Sequence, residues 1–223
     1  MDEANTFAPN TMPDPSPNPS QSLTPNASPQ GSLEAANRDG LWHDGWYRFA
    51  KKVPSPHFGE RPNGAVIDLI VVHSISLPPG QFGGELVVNF LAGLPFDSQD
   101  PYVQSVKDMK VAPHFLIRRG GELIQLVSTF DRAWHAGVSS YRGRDNCNDD
   151  SIGIELEGLE NESFEDAQYE TLSGLCAALA QLHPIEHVAG HQHIAPGRKN
   201  DPGCEFSWEY LQRSLGWQDR CFP

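Results

Sequence analysis

Basic residues are scarce: 16 Lys and Arg stand against 29 Asp and Glu in 223 residues, a formal net charge of −13. A reader of phosphate backbones needs a basic stripe to displace counterions, so nucleic acid is not an expected partner. Long apolar runs are missing too. Nothing in the sequence approaches the roughly 18 consecutive apolar residues of a spanning helix, so no membrane partner is expected. The chain begins Met-Asp-Glu, without the basic flank and apolar core of an export signal, and a soluble cytoplasmic protein is expected. Cysteine is sparse as well. Cys147, Cys176, Cys204 and Cys221 form no C-x-x-C pair, which removes zinc-ribbon and thioredoxin-like readings. Such low density without an export signal favours reduced thiols, and Cys176 reads as a small core residue inside a helical pattern.

Large apolar side chains are nearly absent from residues 1–40, which hold 7 of the 19 prolines, five Ser and five Asn. Stretches such as Pro13-Asp14-Pro15-Ser16-Pro17-Asn18-Pro19 bury too little apolar surface to offset the entropy of ordering, so a disordered tail is expected there. Composition changes abruptly at Leu41-Trp42-His43. Residues 41–223 are long enough for one domain with a substantial core, and they contain no internal repeat.

Ala65 to Val72 is almost entirely apolar and β-branched, as a strand covered on both faces would be, and it runs straight into His73. Glu85 to Leu91 is weakly helical and stops near Gly93. His114 to Arg118 and Glu122 to Val127, joined around Gly120-Gly121, read as a hairpin. Ser151 to Gly158 alternates, with Ile152, Ile154 and Leu156 on one face and Gly153, Glu155 and Glu157 on the other. Ser163 is placed to open a helix that carries Leu172, Leu175, Cys176, Leu179 and Leu182, with Pro184 at its exit. Ile185 to Ala189 is a short apolar run. Ser207 caps a last helix that stops at Gly216. Strands and helices interleave without strict βαβ regularity. The expected class is therefore mixed α/β: a central mixed sheet flanked by helices.

Of nine histidines, several lie where loops meet strands. His73 follows the apolar strand, and His191 and His193 flank Gln192 at the head of a loop with two Pro-Gly turns. That loop can fold back to bring Asp201 beside His191. Two imidazoles and one carboxylate would give zinc three protein ligands and leave a position for water. Spacing alone leaves open whether His191 or His193 is used, and whether the loop is a metal site or merely structural.

Four motifs carry a specific resemblance: Val72-His73-Ser74 through Gly84, Ala133-Trp134-His135-Ala136-Gly137, Ser151 to Gly158, and Gly190 to Gly203. In order and spacing they resemble the AmpD-type 1,6-anhydro-N-acetylmuramyl-L-alanine amidases over Leu41 to about Leu215; the tail is not covered. The resemblance implies the fold of the peptidoglycan-recognition and T7-lysozyme-like amidases, one zinc per chain, and His73, His191 and Asp201 as its ligands. His191 is chosen because the family's second ligand stands eight positions before its lysine. Glu155 matches the family's catalytic glutamate and Lys199 its second catalytic residue. Ser74 stands where the family has Asn. Ser74, Trp134, His135 and His114 are candidates for the substrate cleft, although Trp134 with His135 could equally be a packed pair and His114 a hydrogen-bonded sheet residue.

The chemistry agrees with those residue types. Glu155, beside the small Gly153 on that strand face, can take a proton from the attacking water and pass it to the departing amine. Lys199 can stabilise the oxyanion. The resemblance implies cleavage of the amide between the muramyl lactyl group and L-alanine of cytoplasmic anhydro-muropeptides, by a monomer. The rivals are a peptidoglycan-binding module that does not cut, which would lack a ligand, and a periplasmic amidase acting on intact wall, which would need an export signal.

Overall fold

The apolar run expected to be a strand from Ala65 joins the sheet only at Leu69. Just before it, the Asp68 carboxylate is held by Arg144, whose two Nη atoms each donate to one of its oxygens at 2.8 Å. The chain is seen here as a computed structural model that describes residues 40–217, 220 and 222–223; the expected tail, apart from Gly40, and Cys221 lie outside the described residues. Six strands form the main sheet: β1 (Lys51–Lys52), β2 (Leu69–Ile75), β3 (Phe115–Ile117), β4 (Leu123–Gln125), β5 (Ser151–Glu157) and β6 (His187–Gly190). Their spatial order is β6-β2-β5-β3-β4-β1. Only β3 and β4 pair antiparallel, as the expected hairpin; the other neighbours are parallel, so the sheet is mixed.

Five helices belong to the described residues: α1 (Leu86–Leu91), α2 (Pro101–Val106), α3 (Asp166–Leu182), α4 (His191–Ile194) and α5 (Trp208–Leu215). Helix α3 starts later than the Ser163 cap expected from the sequence. Glu165 is its N-cap, its backbone N–H donating to Gln168 Oε1 at 3.1 Å. Phe164, just before the cap, is buried in the core. Helix α2 was not expected. Asp100 caps it by accepting the N–H groups of Tyr102 and Val103 at 2.9 and 3.1 Å, with Pro101 in the first turn. Helix α5 follows expectation: Ser207 Oγ accepts from Tyr210 N, and Gly216 stops it at φ +63°.

Strand alternation divides the core into faces. Ile70, Val72, Phe115, Ile117, Ile152, Ile154 and Leu156 meet Leu172, Leu175, Cys176 and Leu179 of α3, and α5 adds Leu211. Truncating one such residue, as in Leu172→Ala, is of the kind that costs about 2–5 kcal/mol. On the opposite face Leu69, Val71 and Ala189 pack with Ala136, Cys147 and Ile194. Beside them Leu116, Ile124 and Leu126 pack with α1 and Val103 of α2. Cys147 and Cys176 are buried free thiols, and burial pushes Cys176 up to about 12. Pairing in register places Glu155 opposite His73 and Gly190 opposite Val72. The carboxyl ends of β6, β2 and β5 thus deliver His191, His73 and Glu155 side by side, on the face away from α3. Open α/β sheets bind ligands outside the carboxyl ends of their strands.

Candidate active site

His73 sits within β2, and His191 begins α4 directly after β6. Asp201 reaches them from the loop that follows, and Gln192 fastens that loop from both ends. Its backbone N–H donates to the Asp201 carbonyl at 2.9 Å, and its Oε1 accepts from Gly203 N at 3.3 Å. Gly203 is required there. It has φ +97°, and a Cβ would lie 1.9 Å from the Glu160 carbonyl oxygen.

Three ligand atoms converge as a result. His73 Nδ1 and His191 Nδ1 are 2.9 Å apart, and each is 3.1 Å from Asp201 Oδ2. All three residues are buried. Burial, reinforced by His191 and Lys199, pulls the His73 imidazole down to about 4 against the opposing pull of Asp201, so the ring is neutral at pH 7. Burial opposes the charged form of Asp201, but His191 and His73 beside it outweigh that cost and hold the carboxyl well below the usual carboxylate range. His191 Nε2 donates to the Ala136 carbonyl at 3.0 Å, which leaves its Nδ1 as a lone pair. With both rings neutral and their protons on Nε2, two Nδ1 lone pairs and Asp201 Oδ2 face one another, an arrangement that a shared cation can join. Two imidazole nitrogens and one carboxylate oxygen in this arrangement fit a divalent cation of the zinc type.

Glu155 and Lys199 open onto the same cavity of about 180 Å³, whose polar side is formed with His191 and Asp201. Glu155 Oε2 is buried and has no hydrogen-bond partner. Burial, aided by the Asp201 charge, raises its pKa well above 4.5; the Lys199 cation opposes this. The other wall is apolar, with Phe90, Leu91, Tyr102, Val106 and Met109 of α1, α2 and the segment after α2.

The remaining sequence candidates fall in different places. Ser74 and His135 line the cavity. Trp134 does not; it stacks on His57 with ring centroids 6.3 Å apart. His114 is fully buried and outside the lining, so its candidacy for the cleft is corrected. Its Nδ1 accepts from Gly153 N at 3.0 Å and its Nε2 donates to the Asp131 carbonyl at 3.1 Å, which leaves no ring nitrogen for a ligand. His193 also stands apart from the triad, accepting the Gly190 N–H at 2.9 Å with its Nδ1. Glu157 is buried and accepts from Gly83 N and Arg119 N at 2.7 and 3.2 Å, which makes it a structural acid. Sequence reading missed Arg61, whose Nη atoms donate to the carbonyls of Asn148, Asp149, Thr129 and Ser151. Its burial pulls it down to about 10. An arginine inside a Pro- and Gly-containing loop gives no periodic signal, so nothing in the sequence flagged it.

Fold and site together define a class: a hydrolase-type centre in which two histidines, an aspartate and a glutamate gather beside the carboxyl ends of parallel strands. Residues 63–204 match the family model for N-acetylmuramoyl-L-alanine amidase, and the chain belongs to that family. It is similar to the 1,6-anhydro-N-acetylmuramyl-L-alanine amidase AmpD of Citrobacter freundii, 47% identical over 170 residues that cover 75% of this chain and 91% of the relative. The crystal structure of a selenomethionine AmpD derivative matches with a TM-score of 0.76 and 46% identity, covering 78% of this chain and 99% of that one. The amidase AmiD from Escherichia coli, solved with the substrate anhydro-N-acetylmuramic acid-L-Ala-D-γ-Glu-L-Lys, matches with a TM-score of 0.50 and 29% identity, covering 70% of this chain and 60% of that one.

Proposed function

We propose that this chain is a zinc amidase that hydrolyses the amide between 1,6-anhydro-N-acetylmuramic acid and L-alanine in muropeptides. In this reading His73, His191 and Asp201 hold one zinc per chain, and Glu155 and Lys199 are the catalytic pair. The observation that carries it is the unpartnered, buried Oε2 of Glu155, a residue in register with His73 that lines one cavity with His191 and Asp201. When bound, zinc acts as a Lewis acid toward the amide carbonyl and lowers the pKa of water to about 7.

The chain's own residues supply the rest. Glu155, its basicity raised by burial, accepts the proton of the water that attacks the lactyl carbonyl carbon. Lys199, a cation on the cavity wall, stabilises the negative charge that develops on the carbonyl oxygen. As the C–N bond breaks, Glu155 returns its proton to the leaving nitrogen, giving a free lactyl carboxyl group and a free L-alanine amine. Ser74 and His135 complete the polar rim, and the apolar wall excludes water on the other side.

Substrate choice is supported by the names of the relatives AmpD and AmiD and by the extent of the match to AmpD. A catalytic reading is preferred to a binding-only module because every ligand position and the base position are filled. The reading places the activity in residues 41–223 of a cytoplasmic monomer. No helix among the described residues is long and apolar enough to cross a membrane.

The deciding experiment is a digest of anhydro-muropeptide, matched reducing muropeptide and insoluble wall, analysed by mass spectrometry with and without chelator. Fast, chelator-sensitive peptide release from the anhydro substrate alone is expected, since a pocket fitted to the bridged ring disfavours one with an extra hydroxyl. Equal rates on all three would point to a wall amidase and remove the cytoplasmic placement.

A further inference from the structure

Resting on the metal-binding reading above, we propose that His135 and the carbonyl of Ala136 act as one orienting unit that fixes the tautomers of both histidine ligands. His135 is thereby a positioning residue rather than a substrate contact. Proton directions follow from groups whose roles are fixed. The Cys147 carbonyl can only accept, so the Ser151 hydroxyl spends its proton on it. Ser151 Oγ must then accept from His135 Nε2, 3.2 Å away. In the neutral ring this leaves His135 Nδ1 as an acceptor, and it lies 3.0 Å from His73 Nε2. His73 Nε2 therefore carries the proton, and its Nδ1 lone pair points at His191 Nδ1 and Asp201 Oδ2.

The next residue performs the same task for the second ligand. The Ala136 carbonyl accepts His191 Nε2–H at 3.0 Å, and Arg198 Nη2 braces that carbonyl at 2.7 Å. Asn148 clamps the pair, its Oδ1 accepting the N–H of both His135 and Ala136 at 3.1 and 2.8 Å. Space for the His135 ring is made on β5. A Cβ at Gly153 would lie 2.4 Å from His135 Cγ and 2.5 Å from its Nδ1, so only glycine lets the ring lie there. Groups that hold a metal-bound imidazole by its other nitrogen typically govern metal affinity by 10–100-fold, that is, roughly one to two orders of magnitude.

Two measurements test this. Long-range 15N–1H correlation spectra of the unaltered, metal-free chain should show His73, His135 and His191 all as Nε2–H tautomers; a His135 Nδ1–H tautomer overturns the proposal. Zinc affinity, measured by competition with a chelating dye, should then separate two variants. His135→Asn keeps an acceptor oxygen near the Nδ1 position and should bind zinc nearly as the unaltered chain does. His135→Phe keeps the ring but not the acceptor and should lose about 10–100-fold. Equal affinities for both variants, whether normal or lowered, overturn the proposal, and if His135→Phe does not fold the tautomer spectrum decides alone. Failure of the unaltered chain to bind zinc would refute the metal reading, while the tautomers would still be read independently.

Discussion

His73 and Glu155 are direct partners across β2 and β5, in register on adjacent parallel strands. Their separation is thus set by backbone ladder hydrogen bonds. Asp201 and Lys199 instead arrive on a loop held by Gln192 and Gly203. Half of the site is as rigid as the sheet, and half depends on a loop that must fold back correctly.

Glu155→Gln should keep the fold and zinc but lose at least about 100-fold in kcat, the range for a general base. Because burial raises the Glu155 pKa, the basic form is lost on acidification at a higher pH than for an ordinary carboxylate. An acidic limb of kcat/KM that this carboxylate sets should vanish in the variant. Stability moves the other way. Above 4.5 the unfolded chain releases this proton while the native metal-free chain retains it, so the native state loses stability as pH rises toward the raised value. Thermal melts of metal-free protein should show Glu155→Gln gaining on the unaltered chain across that interval; a constant difference would sink the assignment.

The two histidines flanking Gln192 should behave oppositely. His191→Ala removes a converging ligand atom and should abolish stoichiometric zinc binding in metal analysis. His193→Ala leaves the Gly190 N–H without its acceptor, at a cost of about 1–3 kcal/mol, and removes a ring packed against Trp208, but it takes away no converging ligand atom and should retain zinc. The reverse pattern would refute the ligand set.

Lys199→Ala should lower kcat by about 10²–10³-fold, as loss of one oxyanion donor does, with zinc content unchanged. Steady-state kinetics with near-normal turnover would take Lys199 out of the mechanism.

Removing residues 1–38 should leave melting temperature and activity essentially unchanged, because that composition supports few packed contacts. A large fall in melting temperature would show that the segment docks on the domain.

Much of this arrangement was legible in the residues. The β-branched run leading into His73, the alternation around Glu155 and the Ser207–Gly216 helix were readable because burial imposes a period on the sequence. Helix α2 was missed although Asp100-Pro101 carries a start signal, because six residues show no periodicity. Strand β1 is two lysines long and exposed, so nothing apolar announces it. Arg61, Asn148 and Gln192 escaped notice for another reason. Their roles lie in backbone carbonyls and amides brought close only by the fold, and no side-chain pattern records those.

The His73 and His191 nitrogens that face each other at 2.9 Å belong to residues 118 positions apart. An ion joining them would close more than half the chain into a ring, a reversible cross-link absent from the unfolded polymer. Its contribution then enters by mass action, about 4 kcal/mol when free zinc is a thousandfold above its dissociation constant. Heat resistance becomes a gauge of metal occupancy. A preparation that melts in two steps would be a mixture of loaded and empty molecules rather than a protein with two domains.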